Sequence, residues 1–184
     1  MAISGGMTPA IQIIQKKTWE MIEMENTRRL YLAYGSNLHL EQMAYRCPTA
    51  TVVGASTLQG RRLLFRGGNG GAVATVEPHT GGEVPVLVWD IKPQDEAALD
   101  RYEGWPYFYR KEMVDIELNG KPTAAMVYIM NTHGQRGEYR PLNQPGAGYY
   151  ATILQGYKTA GFDTDILKQA TLDSIEENGG RFDE

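Results

Sequence analysis

Polar and apolar residues alternate through much of the middle of the chain and recur at helical spacing elsewhere. Strand-like runs fall at 29–34, 50–58, 61–66, 72–77, 84–91, 107–118 and 123–130. Several carry the period of two that marks a half-buried antiparallel strand. Val114, Ile116 and Leu118 share one face, Asn119-Gly120 is a tight-hairpin dipeptide, and Met126, Tyr128 and Met130 line the return. Helical periodicity occupies 38–46, 93–103, 148–160 and 164–177. A further amphipathic helix is predicted at 8–24. Thr8 can cap it, Pro9 suits its first position, and Ile11, Ile14, Thr18 and Ile22 share a face.

So many adjacent strands do not fit a repeating βαβ scheme. The pattern predicts an α+β fold, a small mixed β-barrel with helices packed around it. One domain is expected at 29–178, with a helical extension at 1–28 before it and a loose tail at 179–184 after it. Gly67-Gly68-Asn69-Gly70-Gly71 reads as a mobile turn between strands, and 131–147, rich in Gly, Pro, Asn and Gln, as the longest loop.

At 184 residues the chain can bury a real core, and 42% hydrophobic with 22% charged residues is ordinary for a soluble globular protein. A net charge of -4, with Lys and Arg scattered singly or in pairs, gives a nucleic-acid partner no basic surface to use. No apolar run approaches the roughly 20 residues of a membrane span. Gln12, Gln15, Lys16, Lys17 and Glu20 interrupt the N-terminal segment, which is therefore not expected to be a signal peptide. Cys47 is the sole cysteine, so no internal disulfide forms and a reducing, cytoplasmic setting is expected. Beside Pro48 and an apolar helix face it reads as a buried, inert thiol, with a catalytic thiol as the weaker alternative.

His39, His79 and His133 sit in unrelated segments without cysteine partners, so no metal site is expected. The glycine-rich 67–71 stretch lacks the Gly-Lys-Ser/Thr ending of a phosphate loop and leads into a strand. Two other places carry chemistry. At Tyr34-Gly35-Ser36-Asn37 a strand turns abruptly into a helix, leaving backbone N–H groups without intrachain partners. Asn37 can cap a helix starting at Leu38, and the turn could hold an anion or a carbonyl oxygen. A plain capped turn is the simpler alternative. Ser36 as a nucleophile is the weaker alternative, since it needs a base and an orienting group brought to it in space.

The second place is Glu103. Gly104 is a natural stop for the helix opening at Pro93, so Glu103 falls at a helix C-terminus, where the dipole disfavours a carboxylate. Trp105, Tyr107, Phe108 and Tyr109 follow and could shield it from water. Both effects raise a carboxyl pKa towards the range useful for proton transfer near neutrality. An exposed glutamate at a frayed end is the alternative.

The chain resembles the γ-glutamylcyclotransferase-like family, which includes the AIG2-like proteins. The resemblance rests first on Tyr34-Gly35-Ser36-Asn37-Leu38, Met43 and Arg46-Cys47-Pro48. Ala55, Leu58 and Gly60 leading to Leu63 and Phe65 follow, then Ala74-Thr75-Val76 with Pro78. Asp95-Glu96, Leu99-Asp100 and Glu103-Gly104 with Tyr109-Arg110 are the most specific part, and Pro145, Tyr149, Ile153 and Gly156 resemble the family's closing helix. The likeness covers about 29–162, with its motifs in order. It implies an enzyme that lets the α-amino group of a γ-glutamyl amide attack its own γ-carbonyl, releasing 5-oxoproline and a free amine or amino acid. Glu103 would be the acid/base. Tyr34, Gly35, Ser36, Asn37, Leu38, Tyr109 and Tyr149 would bind the small-molecule substrate. No metal or organic cofactor is implied, because the nucleophile belongs to the substrate.

Three departures bear on the substrate more than on the reaction. Pro145-Gly146 stands where the family often has Pro-Ser, Pro85 where it usually has glycine, and the N-terminal helix is additional. Two alternatives share the same fold: a non-catalytic small-molecule-binding or stress-response protein, and a hydrolase releasing glutamate.

Overall fold

A computed structural model describes residues 8–10, 13–14, 16–18 and 29–179. Its described residues form one five-stranded sheet from β1 (Arg29–Ala33), β2 (Thr51–Arg66), β3 (Val73–Ile91), β4 (Tyr109–Leu118) and β5 (Lys121–Met130). The spatial order is β2-β3-β1-β5-β4, with β1 and β5 parallel and every other pair antiparallel. β1 is therefore central, and Tyr31, Leu32 and Ala33 are buried. Around the sheet lie a 3-10 turn (Ser36–Leu38), α1 (Leu40–Arg46), α2 (Pro93–Glu103), α3 (Ala147–Ala160) and α4 (Thr164–Gly179).

The α+β class is as expected, but the barrel is not closed. Edge strands β2 and β4 share no ladder. Side chains span them instead: Ser56 Oγ donates to the Glu117 carbonyl at 2.7 Å, and Arg61 meets Glu112 at 3.1 Å. The runs 50–58 and 61–66 are one strand, as are 72–77 and 84–91. Glycines that punctuate the sequence there produce an irregularity instead of a loop. The ladder shifts register between Gln59 and Arg61, where Gly60 takes a positive φ of 69°. The run 107–118 becomes a strand at Tyr109.

The Asn119-Gly120 hairpin is a primed turn, with φ of 53° and 75°, joining Leu118 to its partner Lys121. Ala125 to Met130 of β5 are buried on both faces, because β5 lies inside the sheet. Helix α4 closes over β2, where Ser174 Oγ accepts from the Phe65 N–H at 2.9 Å. The Gly67–Gly71 turn is tied down. Gly67 N–H donates to Pro141 O at 2.9 Å and Asn143 Nδ2 to Asn69 Oδ1 at 2.8 Å. Gly146 lies so close to this turn that a Cβ on it would sit 2.8 Å from Gly70 O, which leaves no room for the serine the resemblance suggests.

The described residues between Pro9 and Thr18 are helical, and Ile13 and Ile14 are exposed. Ile11, Ile22 and the rest of the helix expected at 8–24 lie outside the described residues, as do residues 180–184 of the expected tail. Among the described residues no helix is long and apolar enough to cross a membrane.

Candidate active site

The strand-to-helix turn that stood out in the sequence is built differently from a capped helix. Ser36–Leu38 form a single 3-10 turn in which the N–H groups of Leu38 and His39 return to the carbonyls of Gly35 and Ser36, each at 3.0 Å. The N-cap of α1 is His39, whose Nδ1 accepts from Gln42 N–H at 3.4 Å, and not Asn37. The N–H groups of Gly35, Ser36 and Asn37 have no backbone partner among the described residues, as the start of a helical turn requires. Helix α3 holds the turn from behind. Gly156 allows such close approach that a Cβ there would meet Leu38 Cβ at 2.5 Å. Leu38 is fully buried in that contact, so of the expected binding residues it alone faces the core instead of the pocket.

Asn37 is freed from capping to organise the site. Its Nδ2 donates to Tyr31 Oη at 2.8 Å and to Glu103 Oε1 at 2.9 Å, while its Oδ1 accepts from Arg46 Nη1. Ser36 Oγ pairs with Tyr102 Oη at 2.9 Å, which occupies it with a phenol and not with a histidine base.

Glu103 ends α2, and Gly104 follows in the left-handed conformation with φ 63°. The start of the helix is pinned by buried Asp95, which accepts from Lys92 N–H at 3.0 Å and from Thr49 Oγ1 at 2.5 Å. Thr49 lies just beyond α1, so the same carboxylate ties α1 to α2. Burial pushes the Glu103 carboxyl up to about 7, against the opposing pull of the Arg46 charge and the Asn37 hydrogen bond. The expected shielding by the residues after it is only half right. Trp105 and Tyr107 are exposed, at 45% and 62%, whereas Phe108 and Tyr109 line the pocket. The rest of the enclosure comes from Tyr31, Tyr34 and Tyr149, none of them near Glu103 in sequence.

These groups surround a cavity of about 240 Å³. Its phenols are held in fixed directions. Tyr34 Oη donates to Tyr128 O at 2.6 Å, Tyr109 Oη donates to Ala74 O at 2.5 Å, and Tyr149 Oη accepts from Ala74 N–H at 3.2 Å. Burial drives the pKa of Tyr31, Tyr34, Tyr109 and Tyr149 upwards, so all four stay neutral near pH 7. A Cβ on Gly35 would lie 3.3 Å from Ala74 Cβ and 3.4 Å from Tyr149 Oη, so glycine here keeps the pocket wall open. Cys47 is 1% exposed with its thiol pushed by burial to about 11, which suits an inert packing role. No cluster of three or more metal-ligating side chains occurs among the described residues.

The structure thus gathers Tyr34, Gly35, Ser36, Asn37, Glu103, Tyr109 and Tyr149 around one cavity. It adds Tyr31, Arg46 and Tyr102, which were not among the expected site residues. Arg46 was visible only as part of the Arg46-Cys47-Pro48 match. Tyr102 sits next to the acid itself, and Tyr31 looked like an ordinary strand residue.

Comparison with known proteins identifies the family. Residues 31–150 match the family model described as gamma-glutamyl cyclotransferase, AIG2-like. Over 158 residues the chain is 30% identical to the gamma-glutamylcyclotransferases of Bos taurus and Homo sapiens, spanning 81% of this chain and 79% of each relative. A solved gamma-glutamyl cyclotransferase structure superposes with a TM-score of 0.64 at 27% identity, covering 78% of this chain and 86% of the other. By the family match and the extent of this identity, the chain belongs to the gamma-glutamyl cyclotransferase, AIG2-like family.

Proposed function

We propose that this protein cleaves a γ-glutamyl amide by intramolecular cyclisation, releasing 5-oxoproline and a free amine or amino acid. The observation that carries the reading is Glu103, a buried carboxyl held near neutral pKa in a pocket beside a turn of N–H groups without backbone partners. Such a carboxyl can both take and return a proton at pH 7.

The substrate's α-ammonium gives a proton to the Glu103 carboxylate, and the amine attacks the γ-carbonyl carbon. A C–N bond forms and closes a five-membered ring, while the carbonyl oxygen gains negative charge. The N–H groups of Gly35, Ser36 and Asn37 are the donors suited to that oxygen. Protonated Glu103 then passes its proton to the departing nitrogen as the original amide bond breaks, and the regenerated carboxylate takes the remaining extra proton from the ring nitrogen and hands it to the released amine, which leaves as an ammonium. Water is neither consumed nor needed, and the internal amine, tethered to the carbonyl it attacks, is favoured over solvent by proximity. Tyr149 receives the Ala74 N–H and keeps its own proton for a substrate oxygen. Tyr109 has already donated its proton to Ala74 and serves as a wall. The buried single thiol supports a reducing, cytoplasmic setting for this chemistry.

The test is a panel of γ-glutamyl donors (dipeptides, amines and glutathione) followed by mass spectrometry of the products. Release of 5-oxoproline with equimolar amine supports the reading. Glutamate in its place would mean hydrolysis, and no turnover of any donor would mean a binding protein.

A further inference from the structure

We propose that Arg46 is a positioning residue for this reaction, clamped on Tyr102 and fixing Asn37 so that the Glu103 carboxylate presents one oxygen to the substrate. The inference rests on the cyclotransferase reading above. Its geometry is independent of that reading.

Arg46 is the last residue of α1, and its guanidinium lies 3.4 Å from the centre of the Tyr102 ring. Stacking sets the plane of the fork, and the hydrogen bond from Nη1 to Asn37 Oδ1 sets its direction. An amide whose oxygen is taken has only its NH₂ group left to offer. Asn37 must then point Nδ2 at Glu103 Oε1 and at Tyr31 Oη. If the amide turned over, it would place a carbonyl oxygen against the carboxylate. Arg46 thus decides which face of Asn37 meets Glu103. With Oε1 engaged, Oε2 is left for the proton in transit.

Tyr102 serves both sides of this clamp. Its ring carries Arg46, and its hydroxyl holds Ser36 of the turn. Because Tyr102 immediately precedes Glu103, the turn, α1 and the acid are locked together at a single point.

The charge environment points the same way. Titratable groups facing Glu103 are Tyr31 and Tyr34 from the β1 side, Cys47 after α1, Tyr109 from β4 and Tyr149 from α3. Burial keeps all five neutral near pH 7. The cation acting on the carboxylate is Arg46. Its loss takes away the charge and the amide orientation together, and both changes disfavour the ionised acid.

The test compares full-length wild type, Arg46→Met and Arg46→Lys. Glu103 is titrated by carbon-13 NMR of its carboxyl, and 5-oxoproline release is measured from pH 5 to 9. Arg46→Met should move the Glu103 midpoint upwards by about one pH unit or more, the usual reach of one close opposite charge. kcat at pH 7 should fall at least about ten-fold, recover in part towards pH 9, and change more than KM. Arg46→Lys keeps the charge but not the stacked fork, so the midpoint should return most of the way and kcat less. A folded Arg46→Met protein with an unmoved Glu103 midpoint overturns the proposal. Should that variant not fold, Tyr102→Leu replaces it, with a smaller upward shift expected and an unmoved midpoint again decisive. If wild type releases no 5-oxoproline from any donor, the functional reading fails, and the titration still decides the role of Arg46.

Discussion

Replacing Glu103 by glutamine should cost activity and add stability, and the second effect depends on pH in a direction the structure dictates. The carboxyl pKa is raised by burial from 4.5 to about 7 in the folded protein. Between those values the folded state binds more protons than the unfolded chain, so stability falls as pH rises. The stabilising contribution of the neutral acid is fully present below pH 4.5 and is lost as pH passes through 7. At pH 8 the folded protein therefore carries a burial cost of at most about 3 kcal/mol from this one group. Glutamine has nearly the same shape and no charge, so it removes that cost. That figure is already net of the Arg46 attraction and the Asn37 hydrogen bond that the carboxylate enjoys. Allowing about 1 kcal/mol for an imperfect fit of the amide, a net gain of about 1–2 kcal/mol at pH 8 remains, a rise of roughly 2–8 °C in Tm for a chain of this size. By pH 5 most of the gain should be gone, and below pH 4.5 all of it.

Catalysis moves the other way. An amide cannot take the α-ammonium proton, so kcat should drop by roughly 10²–10⁴-fold while KM changes little. Paired assays decide the matter: mass-spectrometric 5-oxoproline rates at pH 8, and thermal melts of both proteins from pH 5 to 8. Near wild-type turnover in Glu103→Gln would remove the residue from the mechanism, and Asp100 or Glu77 would be tested next. A stability difference identical at pH 5 and pH 8 would show that burial does not disfavour this charge, and the argument for a tuned acid would fall with it.

Four further outcomes are expected. The wild-type kcat/KM profile should rise with pH through a midpoint near 7, as Glu103 loses its proton and becomes a base; a profile flat from pH 5 to 8 would contradict this. Gly35→Val pushes a branched side chain against Ala74 and Tyr149, so kcat/KM should fall by up to about 10²-fold, with thermal melting showing a loss of only about 1–3 kcal/mol. Ser36→Ala loses one hydrogen bond to Tyr102 and should slow turnover less than about ten-fold; abolition in a folded variant would make Ser36 a nucleophile. A chain lacking residues 1–28 should turn over the same donors at an unchanged rate, because the site described above uses none of them, and a folded but inactive truncation would contradict this.

The position of Glu103 at a helix end was legible because its signals are local, whereas its choice as candidate acid over an exposed glutamate rested on the family resemblance. Gly104 stops a helix, so the residue before it sits at a C-terminus whatever the remainder of the chain does. The hairpin at Asn119-Gly120 was legible for the same reason. What failed to show was everything set by packing between distant segments. Gly60 looked like a break between strands, yet pairing with β3 on one continuous edge carries the ladder through it with a change of register. Asn37 looked like a cap because Asn before a helix usually is one. The 3-10 turn moved the cap to His39 and released Asn37 into the pocket. Trp105 and Tyr107 looked like the shield because they follow Glu103, but the chain turns them outwards. The tyrosines that do surround the acid arrive from β1, β4 and α3. Arg46 shows why this divide has to fall where it does. A carboxyl at a helix end is a property of one segment, whereas its pKa is a sum over groups from every segment that meets it. Burial holds the proton on Glu103, and the charge that opposes it comes from a different helix. The acid is therefore written in one helix and its strength in the contact between two.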